Sequence, residues 1–515
     1  MKNQTLHRSS KWAYVVLGIA LVTVGCLHPD TTPPPPPDLG NDCIEPEVVL
    51  LEEGWQFRTD PEDVGVPQRW YASSLDDTDW RALAPGEPWE FSGVEYDGAA
   101  WYRTTFTMPS WSTVYLGLGR VDDAATLWLD GEKLLSWEAE NPRAQALDVT
   151  GSAEPGERLT LAVRVEDYGG YGGIKGASRL SNRPQAVMED TDYISLLFDS
   201  HPQWPEPGWV DGAPVAWTMS GAEGAREKAL VRSDGAVAPW ADAPTVEVWL
   251  YDSDSQQLLT GTERSTTFSL HRGHLPMPRW EWEAAGTQVQ NLLFRDLQQD
   301  AVRWQIEVHN PGETARNLTL LLVVRPFGIA RSFTPICSLA LQGSSRLWIN
   351  EMPFLVAGTE PAHTGIASMD ESMLSVTEGR APTGDVTYED PAGLGAAVLS
   401  YPISLNATES HTYQFAFPTT PETDPAHRSF PAVDQRVELR RSATADSWEQ
   451  VLDRVEIEVP DELLVDAVRA SAAYLLIAID PEGPHPGPLD HSAVWVRDAA
   501  YTGLALMQLG YADVV

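Results

Sequence analysis

Basic residues are scarce: 35 Lys and Arg stand against 74 Asp and Glu, a formal net charge of −39 over 515 residues. A nucleic-acid binder gains affinity by neutralising phosphates with cationic side chains, and this chain has no basic surplus to do so. The deficit excludes a nucleic-acid partner, disfavours anionic substrates and points to a neutral ligand. Cysteine is scarcer still, with only Cys26, Cys43 and Cys337. No CxxC spacing occurs, so the sequence offers neither a metal site nor a disulfide framework, and a single Cys43–Cys337 bridge stays open. Long apolar runs are nearly absent. The one at Trp12–Val24 has 13 residues, short of the roughly 20 a bilayer span needs. There is no glycine-rich phosphate loop after a strand and no GxSxG elbow.

What is present begins with a leader. Lys2, Arg8 and Lys11 precede the apolar run, which ends in Thr23-Val24-Gly25-Cys26. This segment resembles a bacterial lipoprotein lipobox, with Thr23 where Leu is usual. The resemblance implies a signal peptide over 1–25, lipidation of Cys26 and attachment to the membrane through that lipid. A plain signal peptide cut nearby is the alternative. Residues 26–46 then form a tether whose Pro33–Pro37 run favours a stiff polyproline helix of about 3.1 Å per residue. Leu27 rather than Asp follows Cys26. That places the expected location in the bacterial cell envelope, at the outer membrane or surface rather than the inner membrane.

Residues 47–185 read as one β domain. Val114–Arg120 and Arg158–Asp167 have strand character, and Leu159, Leu161, Val163 and Val165 share one face of the second. Thr160, Ala162, Arg164 and Glu166 lie on its other face. Asp130-Gly131 interrupts Thr126–Leu135 as a type I′ hairpin turn. Residues 190–425 continue as a larger β-sandwich. There Val302–Val308 and Leu318–Val324 flank Asn310-Pro311-Gly312. After Pro421 the texture becomes helical: one helix spans Asp461–Ile479 and a second about Ser492–Leu509, closed by Gly510 and separated from the first by the prolines of 481–488.

Six motifs in the first domain carry a resemblance. They are Gly54-Trp55-Gln56-Phe57, Asp76-Asp77-Thr78-Asp79-Trp80, Tyr96-Asp97-Gly98, Ala100-Trp101-Tyr102-Arg103, Val121-Asp122-Asp123 and Leu129-Asp130-Gly131. In that order they resemble the amino-terminal sugar-binding jelly roll of glycoside hydrolase family 2. The resemblance implies a galactose-binding-like fold with oligosaccharide or polysaccharide as partner. It also implies that Asp79, Trp80, Trp101 and Arg103 hold the fold together. No cofactor is implied. Structural calcium near Asp122 and Asp123 is left open, with a solvated turn as the other reading.

The sharper chemistry lies near the carboxyl end. Between Asp490 and Asp513 the only charged residues are Arg497 and Asp498, set beside Trp495 at the start of an apolar helix. Two charges there need partners, and neutral sugar hydroxyls at a pocket mouth would supply them. Val494 to Tyr501 resembles the opening of the (α/α)6 six-hairpin glycosidase barrel of the glucoamylase-like family 15 group. There, a W-x-R-D motif binds sugar without being the catalytic acid or base. The resemblance implies substrate contacts at Trp495, Arg497 and Asp498 and a domain over 445–515 that holds only the first hairpin.

The expected architecture is therefore multidomain and mainly β: a jelly roll, a large supersandwich-like β-sandwich, then the first helical hairpin of an (α/α)6 barrel. Glycoside hydrolysis needs two carboxylates flanking the scissile bond, and no carboxylate in this chain matches either role. Two functions remain open. One is the amino-terminal portion of a lipid-anchored glycoside hydrolase acting on neutral glycans and inactive alone; the other is a non-catalytic carbohydrate-binding surface lipoprotein. A third reading is a remnant without function. HRGH at His271–His274 lacks a third metal ligand. The loop carrying His201, Trp204 and Trp209 reads as packing ahead of sugar stacking.

Overall fold

Two pairs of antiparallel sheets account for most of the chain in the computed structural model. It describes residues 43, 45–121, 123–137, 146–210, 215–261, 265–384, 386–419, 429–433, 436–454, 456–489 and 493–514. Cys26, the proline run and Asp122 lie outside the described residues.

The first pair is a six-stranded sheet facing a four-stranded one. At the centre of the larger sheet, Arg158–Asp167 pairs with Gly98–Thr107 on one side and Ala124–Leu129 on the other. Its period-two pattern works as expected on one face: Leu159, Leu161, Val163 and Val165 are buried between the sheets with Phe57, Tyr102, Leu116 and Leu180. The other face is not simply polar. Ala162 is fully buried beneath Trp70, Trp80, Trp101 and Trp128, so the back of the sheet carries its own small core. Trp101 stacks on Trp128 at 5.0 Å, and Trp70 meets Trp80 edge-on at 5.2 Å. Arg103, also buried, donates to Asp77 Oδ2 at 2.7 Å, to the Ala72 carbonyl at 3.2 Å and to the Trp70 carbonyl. The Asp76–Trp80 segment and the Trp101–Arg103 strand thus hold a covering loop over the sheet. At the hairpin, Asp130 (φ 50°) and Gly131 (φ 90°) both take positive φ, as a type I′ turn requires.

The second pair is an eight-stranded and a nine-stranded sheet enclosing a core that includes Val248, Trp280, Trp304, Leu320, Leu322, Leu399 and Phe415. Asn310-Pro311-Gly312 does not close a hairpin. Ala301–His309 belongs to the nine-stranded sheet and Arg316–Arg325 to the eight-stranded one, so the chain crosses from layer to layer there. Asn310 is fully buried, and its amide donates to the carbonyls of Thr314 (2.8 Å) and Asn406 (2.9 Å), fastening this crossover to the neighbouring one.

Among the described residues, two helices accompany the strands of residues 190–425. Helices α1 (Asp190–Ser200) and α2 (Met369–Thr377) cover the outside of the eight-stranded sheet. There they bury Trp249, Leu321, Val323 and Val398. This explains why Leu318–Val324 is apolar without alternation: both of its faces are covered.

The helical region also differs from expectation. Three helices are present among the described residues after 430: α3 (Val437–Leu452), α4 (Glu462–Ile477) and α5 (Val496–Gln508). Asp461 caps α4 by accepting from the Leu463 amide. The helices pack on the outside of the nine-stranded sheet, where Leu275, Met277, Leu292 and Phe294 meet Ala445, Trp448, Ala473 and Leu476. Polar clamps flank this core. The His274 ring lies between Asp466 on α4 (3.0 Å) and Glu449 on α3 (3.2 Å), while Arg272 reaches Asp446 and Glu449. HRGH is therefore a docking device. Cys43 and Cys337 form a disulfide, Cα–Cα 5.2 Å, that ties the chain just ahead of the first pair of sheets (the first unit) to the second pair (the second unit).

Candidate functional site

The first unit presents an aromatic platform where the strand Arg158–Asp167 ends. Tyr168-Gly169-Gly170-Tyr171-Gly172-Gly173 follows, and Gly169, Gly170 and Gly173 all take positive φ. Gly172 is required for another reason. A Cβ there would lie 2.3 Å from the Trp89 ring and 2.6 Å from Asp167 Oδ2, so only glycine lets the loop press onto the buried indole. The short 3-10 turn Trp89–Ser92 completes the contact: the Trp89 amide donates to the Gly172 carbonyl, and the Gly172 amide donates to the Glu90 carboxylate at 3.2 Å.

This anchoring leaves three rings facing solvent: Phe91 is 65% exposed, Tyr168 67% and Tyr171 58%. Phe91 and Tyr171 meet at 5.2 Å and 70°. Carboxylates rim them. Asp123 accepts from the Tyr168 amide, and Glu166 accepts from the Tyr168 hydroxyl at 3.4 Å. Behind the rim, Arg164 pairs with Glu166 and with Asp63 at 2.8 Å. Burial works to lower the Arg164 pKa, but the hydrogen bonds and charges of Glu166 and Asp63 outweigh it and raise it. Burial, with the Glu90 charge added, raises the Tyr102 pKa and keeps that phenol protonated. An exposed ring cluster on a fixed loop, bordered by hydrogen-bond acceptors, can stack on a flat apolar face while accepting from hydroxyls.

Sequence reasoning missed Phe91, Tyr168 and Tyr171. The available signal was the alternation of tyrosine with glycine pairs, which places rings where no neighbouring side chain can cover them.

The expected contacts near the carboxyl end stand in the open. Trp495 is 46% exposed, and Arg497 meets Asp498 at 3.6 Å with the Arg497 side chain 73% exposed. The two charges thus find each other. Val496, Tyr501, Leu504 and Met507 are exposed along the same helix, while its buried residues are Gly503 and Leu506. Just before it, His485 and the buried Asp480 are joined at 2.8 Å. Burial works against the Asp480 charge, but the bond from His485 prevails and lowers the carboxyl pKa.

Trp204 and Trp209 are buried in the layer under α1 and α2, with Trp204 stacked on His201 at 4.2 Å and donating to Asp370. Among the described residues, no group of three or more His, Cys, Asp or Glu is arranged to hold a metal. No helix there is long and apolar enough to cross a membrane.

Over 134 residues the chain is 28% identical to a β-glucuronidase of Paenibacillus borealis, a match covering 24% of this chain and 22% of that protein. Among solved structures it is similar to a β-glucuronidase of Bacteroides uniformis, at 12% identity and a TM-score of 0.25. That alignment covers 73% of this chain and 28% of the other. A β-glucuronidase of Ruminococcus gnavus aligns at 13% identity and a TM-score of 0.25, over 61% of this chain and 47% of the other. No protein-family model matches the chain. The matched part thus spans about a fifth of the curated relative's length. The curated match supports the glycoside hydrolase family 2-like fold expected for the first domain.

Proposed function

We propose that this chain is the carbohydrate-binding amino-terminal portion of a secreted, lipid-anchored glycoside hydrolase acting on neutral glycans. The observation that carries the reading is the exposed Phe91–Tyr171 ring pair, with exposed Tyr168 on the same loop as Tyr171. A pyranose offers an apolar C–H face to such rings, and Glu90, Asp123 and Glu166 are acceptors for its hydroxyls. The 28% identity to a β-glucuronidase supports a carbohydrate ligand.

In this reading the first unit is a sugar-binding jelly roll, the second a supersandwich, and α3 to α5 open an (α/α)6 barrel. The uncovered apolar residues Val496, Tyr501 and Leu504 support that last assignment, because further barrel helices would bury them. Trp495, Arg497 and Asp498 would then line the substrate pocket. The catalytic acid and base are assigned to residues outside this chain. Cys26 carries the lipid, residues 26–46 are the spacer, and the outer membrane or cell surface is the location.

The platform lies wholly within the first unit, which favours one second reading: a carbohydrate-binding surface lipoprotein without catalysis. Calorimetric titration of the full chain with a panel of neutral oligosaccharides tests both. Binding that weakens about tenfold or more in Tyr171→Ala, with an unchanged melting curve, supports the platform; no binding by any of them overturns it. Hydrolysis of any of them by this chain alone would overturn the placement of the catalytic carboxylates elsewhere.

A further inference from the structure

Away from the helices, the opposite end of the nine-stranded sheet carries a trough on its outer face. Leu339, Leu347 and Ile349 point into the core between the sheets, so alternation turns Ser338, Ala340 and Trp348 outward. Tyr388 packs against the same core, which turns Thr387 and Glu389 outward on the edge strand Thr387–Glu389. Register sets these side chains in two rows: Trp348, Ala340 and Thr387 lie side by side, and Ser338 stands opposite Glu389. Ala340 is the small residue of its row, so the indole and the edge strand rise as walls over a low floor. A cavity of about 650 Å³ lies here, with Glu351 of the next turn in its lining and Cys337 beside Ser338.

The indole is set in place from two directions. The strand ladder slips between Leu347 and Trp348, so that Trp348 pairs with Pro353, and such a bulge re-aims a side chain. Phe430 meets the ring at 5.1 Å and 88°, and Arg346 lies over Phe430 at 6.0 Å. Trp348 nevertheless stays only half-buried.

The surroundings narrow the occupant by charge. Glu351 and Glu389 are in the lining and no Lys or Arg is, so an anion, an acidic sugar included, is repelled. Arg346 stands one row from Trp348 on the same outer face and opposes a cation stacked on the indole. A wholly apolar occupant would strip water from Ser338, Thr387 and Glu389 and return no hydrogen bonds. The volume falls within the roughly 300–1,000 Å³ of pockets that enclose small ligands. What fits is an uncharged molecule with an apolar face and several hydroxyls.

We propose that this trough is a second binding site for an uncharged glycan. One pyranose ring lies with its C–H face on Trp348, and hydroxyls of the chain donate to Glu389 and Glu351. The site shares its ligand class with the reading above but none of its residues, so either site can fail alone.

The test is titration of the full chain, labelled with 5-fluorotryptophan, with maltotetraose, cellotetraose and laminaritetraose. Tetragalacturonate and a quaternised glucosamine tetramer serve as charged counterparts. The fluorine resonance missing from Trp348→Phe identifies position 348. At least one neutral tetrasaccharide should shift that resonance with a millimolar or tighter Kd, and the charged tetramers should bind at least about tenfold more weakly. Ala340→Leu raises the floor while keeping the indole; it should weaken the shift about tenfold with an unchanged melting curve. Tyr171→Ala should leave the shift intact. A resonance unmoved by all three neutral tetrasaccharides would overturn the proposal. So would equal affinity for either charged tetramer, or indifference to Ala340→Leu. Binding heat that vanishes in Tyr171→Ala while the resonance never moves would remove this site and keep the platform; a shift at position 348 with binding heat indifferent to Tyr171→Ala would do the reverse.

Discussion

Arg103 and Asp77 form an ion pair of 2.7 Å in which the arginine side chain is 2% exposed and the aspartate 27%. Two residues on, Asp79 pairs with Arg58 at 3.5 Å with both side chains open to solvent. The two pairs sit on one short segment and should differ sharply in worth. Removing one partner of a buried pair strands the other charge, whereas exposed pairs contribute about 0–1 kcal/mol. Asp77→Ala should lower stability by about 3 kcal/mol in chemical denaturation, and Asp79→Ala by less than about 1 kcal/mol. Equal losses would show that Arg103 is held by its carbonyl partners alone.

His274→Ala should loosen α3 and α4 from the sheet. The substitution takes away the shared partner of Glu449 and Asp466 and leaves only Arg272 to hold Glu449. We expect a loss of about 1–3 kcal/mol and faster proteolytic cutting between residues 452 and 462, read by mass spectrometry. Cutting elsewhere, with this connection intact, would contradict the clamp.

Glu227 gives the chain a pH dependence of defined sign. Burial raises its carboxyl pKa, against the lowering pull of Lys228 and Arg226. The folded protein therefore holds this proton more tightly than the unfolded chain does. The associated stability is fully present below the unfolded value near 4.5 and is lost as pH rises through the folded value. Glu227→Gln should raise the melting temperature at pH 7 and flatten the fall in stability above pH ~4.5. An unchanged slope would mean that Lys228 fully compensates the charge.

Cys43→Ser should destabilise the chain in non-reducing buffer. The bond closes a loop of 294 residues, and chain-entropy reasoning gives such a cross-link up to about 5 kcal/mol. Under reducing conditions the variant and the parent should melt together.

The legible parts of the sequence were those with local physical signatures. Arg158–Asp167 announces its buried face by alternation, Asp130-Gly131 its turn by two residues tolerant of positive φ, and α4 its presence by the helical spacing of its apolar residues. What escaped depends on contacts distant in sequence. Helix α3 buries only Val437, Ala445, Trp448 and Leu452 among its apolar residues, too sparse a stripe to read without the sheet beneath it. Helix α1 carries apolar residues mostly in one block, Tyr193–Phe198, which reads equally as a strand. Asn310-Pro311-Gly312 reads as a turn between two strands, but nothing local says that those strands join different sheets. The aromatic platform was hidden by the same logic. Tyr171 next to glycines reads as a flexible loop until Trp89 and Glu90 are seen fixing it.

The Cys43–Cys337 bond also sets where tension goes. A pull applied ahead of Cys43 passes through the sulfur link into Ser338–Gln342, an inner strand of the nine-stranded sheet. The first unit, strung between the two cysteines in sequence, is bypassed and stays slack. A module displaying a shallow aromatic surface would thus keep its shape while the molecule is dragged by its amino end, and the larger sandwich would take the strain.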